Sequence, residues 1–307
     1  MYILLTGGKK NIGDYLIGDR TRKLLMHERP DRQIVEMYPW GPLDEKKDQI
    51  NNSKAVIIHG GPGYQPNMYP GIYPLLKDLR EIKVPIIPMS LGWKGIPGDD
   101  LSLRSYRFND TSMELMKKIH NSCEFSSCRD YLTQRVLSQH GFKNTIMTGC
   151  SVWYDLDYIG KAFMPPKKIN KIAFTPPQLS IFREQSINIL KRLRNMFQDT
   201  EIICSLHRGL SEDKYPYNND NRNIRKIMES CKDIGVQIED VSYDLSRLSL
   251  YDDCDIHIGY RLHGHLLFLS KRKPSFLINE DGRGRGAQEA LGLLSINGYE
   301  RNTLNHF

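Results

Sequence analysis

Short apolar runs alternate with amphipathic stretches along nearly the whole chain, most of them stopped by glycine, proline or a short polar residue. Runs of four to six apolar residues followed by a helical period imply βαβ units and a parallel sheet. In the first half, strands are expected at Tyr2–Thr6, Gln33–Tyr38, Ala55–His59, Val84–Met89, Ser126–Ser127 and Thr145–Thr148. Helices are expected at Tyr15–His27, Leu75–Leu79, Ser112–His120 and Tyr131–Gln139. The pattern pauses at Phe163-Met164-Pro165-Pro166-Lys167-Lys168, which reads as a linker. It restarts with strands at Lys171–Phe174, Glu201–Leu206, Val236–Val241, from Asp255, and at Pro274–Ile278. Helices alternate with these at Phe182–Phe197, Ile224–Lys232, Ser246–Tyr251 and from Leu262; a glycine-rich loop at Asp281–Gly286 precedes a last helix at Gln288–Leu293. The expected architecture is α/β: two Rossmann-like domains facing a cleft, residues 1–162 and 171–307.

Composition narrows the function classes. The 39% hydrophobic and 26% charged content suits a folded globular protein. No apolar run reaches the length that spans a bilayer. The N-terminal Met1–Gly8 stretch reads as a first strand rather than a secretory segment. A cytoplasmic protein without a transmembrane segment is expected, with peripheral membrane contact left open. The net charge of +7 is compatible with an anionic small ligand, nucleic acid or an acidic membrane. Zinc-finger spacing and the aromatic pattern of RNA-binding sheets are both missing, so nucleic acid is not an expected partner. The six cysteines form no C-x-x-C pair, which predicts reduced thiols and no metal site.

Candidate chemistry lies at the turns that follow strands, where open α/β sheets bind ligands. The richest is Asp255–His265, a buried strand that breaks at Gly259 and enters an apolar helix, with Arg261 and His263 at its mouth. Arginine presents a rigid fork of donors to carboxylate or phosphate, and histidine moves a proton near neutral pH. The competing account is a structural clamp between Arg261 and Asp252, Asp253 or Asp255, while His257 and His265 read as packing residues. After the first strand, Gly7-Gly8 allow close backbone approach, and Asn11 and Asp14 suit a turn or a helix start. Neither G-x-G-x-x-G nor a Walker A sequence is present, which disfavours those modes of nucleotide binding. Gly60 and Gly61 form a second cleft turn. In Cys128-Arg129-Asp130, Asp130 suits a helix N-cap and Arg129 would project toward the cleft; an ion pair with Asp155 is the alternative. Arg283 and Arg285 would close on an anion from the glycine loop, unless that loop is simply solvated.

Taken together, these turns resemble the polysaccharide pyruvyl transferase family. The resemblance rests on Gly7-Gly8 with Asn11-Ile12-Gly13-Asp14, Gly60-Gly61 with Gly63, Ser90-Leu91-Gly92 and Cys128-Arg129-Asp130. Its specific part is Ile258-Gly259-Tyr260-Arg261-Leu262-His263, followed by an apolar helix and Lys273-Pro274-Ser275. It spans roughly residues 2–293 in the expected order. The resemblance implies a GT-B-like fold, with the first domain on the acceptor side and the second on the donor side. It implies a ketal pyruvyltransferase that moves the enolpyruvyl group of phosphoenolpyruvate onto a saccharide diol, free or lipid-linked. Phosphoenolpyruvate would be a co-substrate, and no other cofactor is expected. His263 would then be the catalytic acid, and Arg261, Arg129, Arg283 and Arg285 the donor-binding cations. Two other readings share the fold: a GT-B glycosyltransferase using a nucleotide sugar, and a non-catalytic protein that binds an anionic sugar.

Overall fold

The computed structural model describes residues 1–210, 218–300 and 303–306. The chain divides into two compact units. Unit 1 comprises Met1–Gly7, Ile17–Ser151 and Asp281–Leu293; unit 2 comprises Gly8–Leu16, Val152–Glu280 and Leu294–Phe307. The expected boundaries at 162 and 171 therefore differ from the observed ones in three places. Residues 8–16 group with unit 2, residues 281–293 with unit 1, and the 152–170 segment with unit 2. Long-range contacts that no local pattern shows are responsible. Within unit 2, for example, the Arg272 guanidinium lies 5.4 Å from the centre of the Trp153 ring, and its Nε–H donates to the Lys161 carbonyl at 3.0 Å.

Unit 1 is built on a parallel sheet of β1 (Tyr2–Leu5), β2 (Ile34–Met37), β3 (Val56–His59) and β4 (Ile86–Met89), in the order β2-β1-β3-β4. β5 (Ser126–Cys128) and β6 (Thr145–Met147) pair in parallel with each other, and an isolated bridge joins Leu91 to Cys128. The connecting helices include α1 (Ile12–Glu28), α2 (Lys47–Asn51), α3 (Asp100–Arg104), α4 (Asp110–Ser122) and α5 (Tyr131–Gln139). Ile3, Leu5, Val56, Ile58 and Ile86 from alternate strand positions pack with Leu115, Met116 and Ile119 of α4 and Leu137 of α5. The period-2 and period-3.6 patterns thus meet in one core.

Unit 2 carries a six-stranded parallel sheet in the order β12-β11-β10-β7-β8-β9. In chain order these are β7 (Lys171–Thr175), β8 (Glu201–Leu206), β9 (Gln237–Asp240), β10 (Ile256–Gly259), β11 (Ser275–Asn279) and β12 (Ile296–Asn297). Between them run α6 (Arg183–Met196), α7 (Asn218–Asp233) and α8 (Leu262–Ser270). The chain proceeds outward from β7 to β8 and β9, then returns to lay β10 on the other side of β7. That reversal creates a topological switch point between β7 and β10, where open α/β sheets hold ligands. β10 is buried along its whole length, as a central parallel strand must be.

The Asp281–Gly286 segment is helical rather than a loop. α9 (Gly282–Leu291) starts on an N-cap bond from the Arg283 N–H to Asp281 and stops at Gly292, which has a left-handed φ of 65°. Three glycines weaken a helix by about 1 kcal/mol each relative to alanine. Within unit 1 two of them are needed for contact: a Cβ on Gly282 would lie 2.4 Å from Trp93 Cζ3, and one on Gly286 would lie 2.6 Å from Asp130 Cγ. Packing overrides the local preference for a loop.

Candidate functional site

Arg261 sits at the switch point of unit 2. It occupies the N-cap position of α8 in extended conformation, and its side chain makes no capping hydrogen bond. The first turn of an uncapped helix directs backbone N–H groups outward and favours an anion there. Gly259 makes the turn. Its φ is 149°, and a Cβ there would lie 2.3 Å from the Thr175 carbonyl oxygen on the neighbouring β7. The chain then re-enters hydrogen bonding through the Tyr260 N–H, which donates to that carbonyl at 2.9 Å, and the Arg261 N–H, which donates to Thr175 Oγ1 at 3.2 Å. The sequence expectation of a strand, a glycine break and an apolar helix matches the structure here to within one residue.

A pocket at this end of the sheet is lined by Pro177, Gln178, His207, Arg208, Asn223 and Arg261. Two arginines thus border one pocket, a donor set for carboxylate or phosphate. The Gln178 and Leu179 N–H groups donate to the buried Glu280 carboxylate at 2.5 and 3.1 Å, which fixes the loop after β7. His207 and Arg208 directly follow β8, so His207-Arg208-Gly209 is a strand-end signal of the same kind as Arg261-Leu262-His263. His207 is buried, with Nε2 2.7 Å from the Tyr251 hydroxyl, which lies 2.5 Å from Ser205 Oγ. Burial, reinforced by the nearby Arg261 and His263, drives the His207 pKa well below the usual imidazole range.

His263 is 6% exposed on the first turn of α8. The turn of residues 8–16 packs against it: a Cβ on Gly13 would stand 2.3 Å from His263 Nδ1. The Ile12 N–H donates to the His207 carbonyl at 2.9 Å, fixing the same turn to the end of β8. Asn11 and Asp14 act on each other, with Asn11 Nδ2 donating to Asp14 Oδ1 at 3.1 Å. Asn11 Oδ1 also accepts from the Gly13 N–H at 3.4 Å, so both residues shape the start of α1 as the sequence suggests.

The other expected site residues belong to unit 1. Gly60 and Gly61 have left-handed φ values of 40° and 68°, and a Cβ on Gly60 would lie 2.1 Å from Ile17 Cγ2. Arg129 is buried within unit 1 and does not project to solvent. It is 1% exposed, its Nε pairs with Asp130 Oδ2 at 3.1 Å, and its Nη2 donates to the Trp93 carbonyl at 2.9 Å. A Cβ on Gly92 would fall 2.2 Å from Arg129 Cζ, so that glycine makes the space for the guanidinium. Asp130 meanwhile caps α5 through the Thr133 N–H at 2.7 Å, as expected. The ion-pair partner of Arg129 is thus Asp130 rather than Asp155. Arg283 forms a two-pronged pair with Asp281, and Arg285 pairs with Asp100 at 2.7 Å and the Gly98 carbonyl at 3.2 Å. On Asp281 burial acts to raise the pKa, but the Arg283 charge, its hydrogen bonds and the Lys94 charge together outweigh it and leave the carboxyl lowered. Both expected anion clamps on α9 therefore hold carboxylates of their own unit.

Arg129→Ala would leave the Asp130 carboxylate buried without its cation. Breaking a buried pair from one side costs about 3–5 kcal/mol. A large fall in melting temperature is expected; an unchanged melting temperature would show that the pair is not holding unit 1.

The buried imidazoles predict an acid-sensitive fold. Burial drives His257 well below its ordinary value and His265 down to about 3. Below the ordinary imidazole value near 6.5 the unfolded chain binds protons that these folded histidines refuse, so stability falls as pH drops. It is fully present above that value and keeps declining toward the folded value, about 3 for His265. From pH 6.5 to 5.5 each such histidine removes about 1 kcal/mol. Urea unfolding at a series of pH values measures this, and a stability that is level or rises on acidification would count against it.

Among the described residues, no group of three or more His, Cys, Asp and Glu side chains is placed to hold a metal ion. No helix among them is long and apolar enough to cross a membrane.

A family model described as polysaccharide pyruvyl transferase matches residues 11–282. Curated protein sequences give no match. Similar solved structures include the UDP-GlcNAc 2-epimerase of Neisseria meningitidis bound to UDP-GlcNAc, with a TM-score of 0.57 and 12% identity over 100% of this chain and 90% of that one. MnaA of S. aureus, in its UDP co-structure, has a TM-score of 0.56 and 14% identity over 99% and 86%. UDP-N-acetylglucosamine 2-epimerase from Rickettsia bellii has a TM-score of 0.53 and 12% identity over 99% and 85%. At these identities the likeness is one of fold: the chain is GT-B-like, with parallel α/β sheets.

Proposed function

Because the chain belongs to the polysaccharide pyruvyl transferase family, we propose that it transfers the enolpyruvyl group of phosphoenolpyruvate to two hydroxyls of a saccharide. The product is a pyruvate ketal on a polysaccharide or its precursor. The observation that carries this reading is the convergence of Arg261, Arg208 and the uncapped start of α8 at the β7/β10 switch point, with His263 one residue into the helix. Phosphoenolpyruvate carries a phosphate and a carboxylate on one small carbon frame, and two guanidinium groups suit a ligand with two anionic groups.

In the reaction, His263 donates its proton to the methylene carbon, which becomes a methyl group, and the enol carbon gains cationic character. One sugar hydroxyl adds there and returns its proton to His263. Phosphate then leaves with the bonding electron pair, the second hydroxyl adds to the same carbon, and its proton departs with the phosphate. One phosphoenolpyruvate and one diol thus give one ketal and one inorganic phosphate. Arg261 and Arg208 hold the donor oxygens and stabilise the charge that collects on the departing phosphate.

Thermal-shift titration with phosphoenolpyruvate beside a panel of nucleotide sugars tests the donor. A ligand that binds only the native state raises the melting temperature by mass action. Stabilisation by phosphoenolpyruvate is expected. Stabilisation by a nucleotide sugar alone would make the chain a glycosyltransferase of the same fold.

A further inference from the structure

We infer that Thr175, His257, Ser275 and His265 form a hydrogen-bond chain of fixed polarity, buried at all but the half-buried Ser275, whose task is to position Arg261. The role rests on the reading of Arg261 as a donor-binding residue; the polarity does not. The Arg261 N–H meets Thr175 Oγ1 at 3.2 Å, and Thr175 Oγ1 lies 2.8 Å from His257 Nε2. His257 Nδ1 lies 2.7 Å from Ser275 Oγ, which lies 2.7 Å from His265 Nδ1. His257 is fully buried, Thr175 is likewise at 0%, and His265 is 1% exposed. His265 Nε2 has no partner among the described residues.

The direction follows from the one group that cannot reverse. A backbone N–H only donates, so Thr175 Oγ1 accepts from Arg261. The threonine proton then has one remaining neighbour, His257 Nε2, and goes to it. His257 is neutral, because burial holds its pKa far below the usual range, so its proton sits on Nδ1 and is donated to Ser275. Ser275 in turn donates to His265 Nδ1, and His265 carries its own proton on Nε2. This arrangement leaves one buried group unmet. Running the chain backwards makes Thr175 accept twice, strands its hydroxyl proton, and still leaves His265 Nε2 unmet.

Glycines tighten the same assembly. A Cβ on Gly259 would lie 2.5 Å from Thr175 Oγ1, and one on Gly264 would lie 3.2 Å from His257 Nε2. β10 and α8 therefore approach Thr175 and His257 as closely as backbone allows. The consequence is an N-cap residue whose main chain is fixed by a side chain of the neighbouring strand. Thr175 is a positioning residue: it touches the backbone of Arg261 and acts on ligand only through it.

Two measurements test this on the full-length protein. Nitrogen NMR of the imidazoles, without ligand, should find His257 protonated at Nδ1 and His265 at Nε2; the opposite tautomers would overturn the polarity. Calorimetry with phosphoenolpyruvate should find Thr175→Val about tenfold weaker than wild type, with Thr175→Ser restoring most of the affinity because it keeps the hydroxyl. A Thr175→Val protein that loses melting temperature but binds phosphoenolpyruvate as well as wild type would reduce the chain to a purely structural role. If wild type itself does not bind phosphoenolpyruvate, the donor reading fails. The NMR tautomers then decide the polarity by themselves.

Discussion

Replacing His263 by Gln is expected to lower pyruvyl transfer by about 10²–10⁴-fold, the usual worth of a positioned acid–base group. Affinity for phosphoenolpyruvate should stay within a few-fold of wild type. The amide keeps hydrogen-bonding capacity at that position but has no proton to give the methylene carbon. The effect should therefore fall on kcat, with the donor Kd largely spared. The packing around His263 makes the test clean, because the turn at Gly13 already presses on the ring and a side chain of similar reach keeps that contact filled. Full activity in the Gln variant would remove His263 from the acid role and leave proton delivery to another group.

Arg261→Ala should act on the other half of the reaction. Each hydrogen bond from a guanidinium to an anionic oxygen contributes about 1.5–3 kcal/mol, so losing the two bonds of the fork weakens the donor by roughly 10²–10⁴-fold in Kd. Arg261→Lys should recover only part of the loss, since lysine is a point charge without the planar fork. Isothermal titration separates the two variants. A wild-type Kd in Arg261→Ala would break the link between the switch point and the donor. The fold should survive both changes, because the N-cap geometry of α8 is held by the Arg261 main chain and Thr175 rather than by the guanidinium.

The legibility of this site in the sequence divides by distance along the chain. Strand β10, the Gly259 break and helix α8 are contiguous, so an apolar run, a glycine and a helical period identify them from local pattern alone. The burial of Arg129 is not legible in the same way. Cys128-Arg129-Asp130 also closes a strand and opens a helix, but the space that accepts its guanidinium is provided by Gly92, and its partner carbonyl belongs to Trp93, 36 residues away. Ser90-Leu91-Gly92 and Cys128-Arg129-Asp130, two of the motifs that signal the family, thus pack against each other within unit 1. The Asp281–Gly286 stretch misleads for a related reason, since its glycines are there to meet Trp93 and Asp130. His257 and His265 read correctly as buried. Their link through Ser275, 18 and 10 residues further on, is beyond any local pattern. His207 and Arg208 are legible in principle, as a histidine and an arginine directly after a strand. They become candidates only because the sheet order places β8 beside β7.

The most direct test of the pyruvyl-transfer account is to incubate the protein with isotope-labelled phosphoenolpyruvate and a panel of saccharides, following phosphate release and the labelled product together. The account predicts saccharide-dependent release of one phosphate per ketal formed, with the label on a carbon bearing two sugar oxygens, and loss of both signals in His263→Gln. Phosphate release without a ketal, or sugar transfer from a nucleotide sugar in place of either signal, would contradict it.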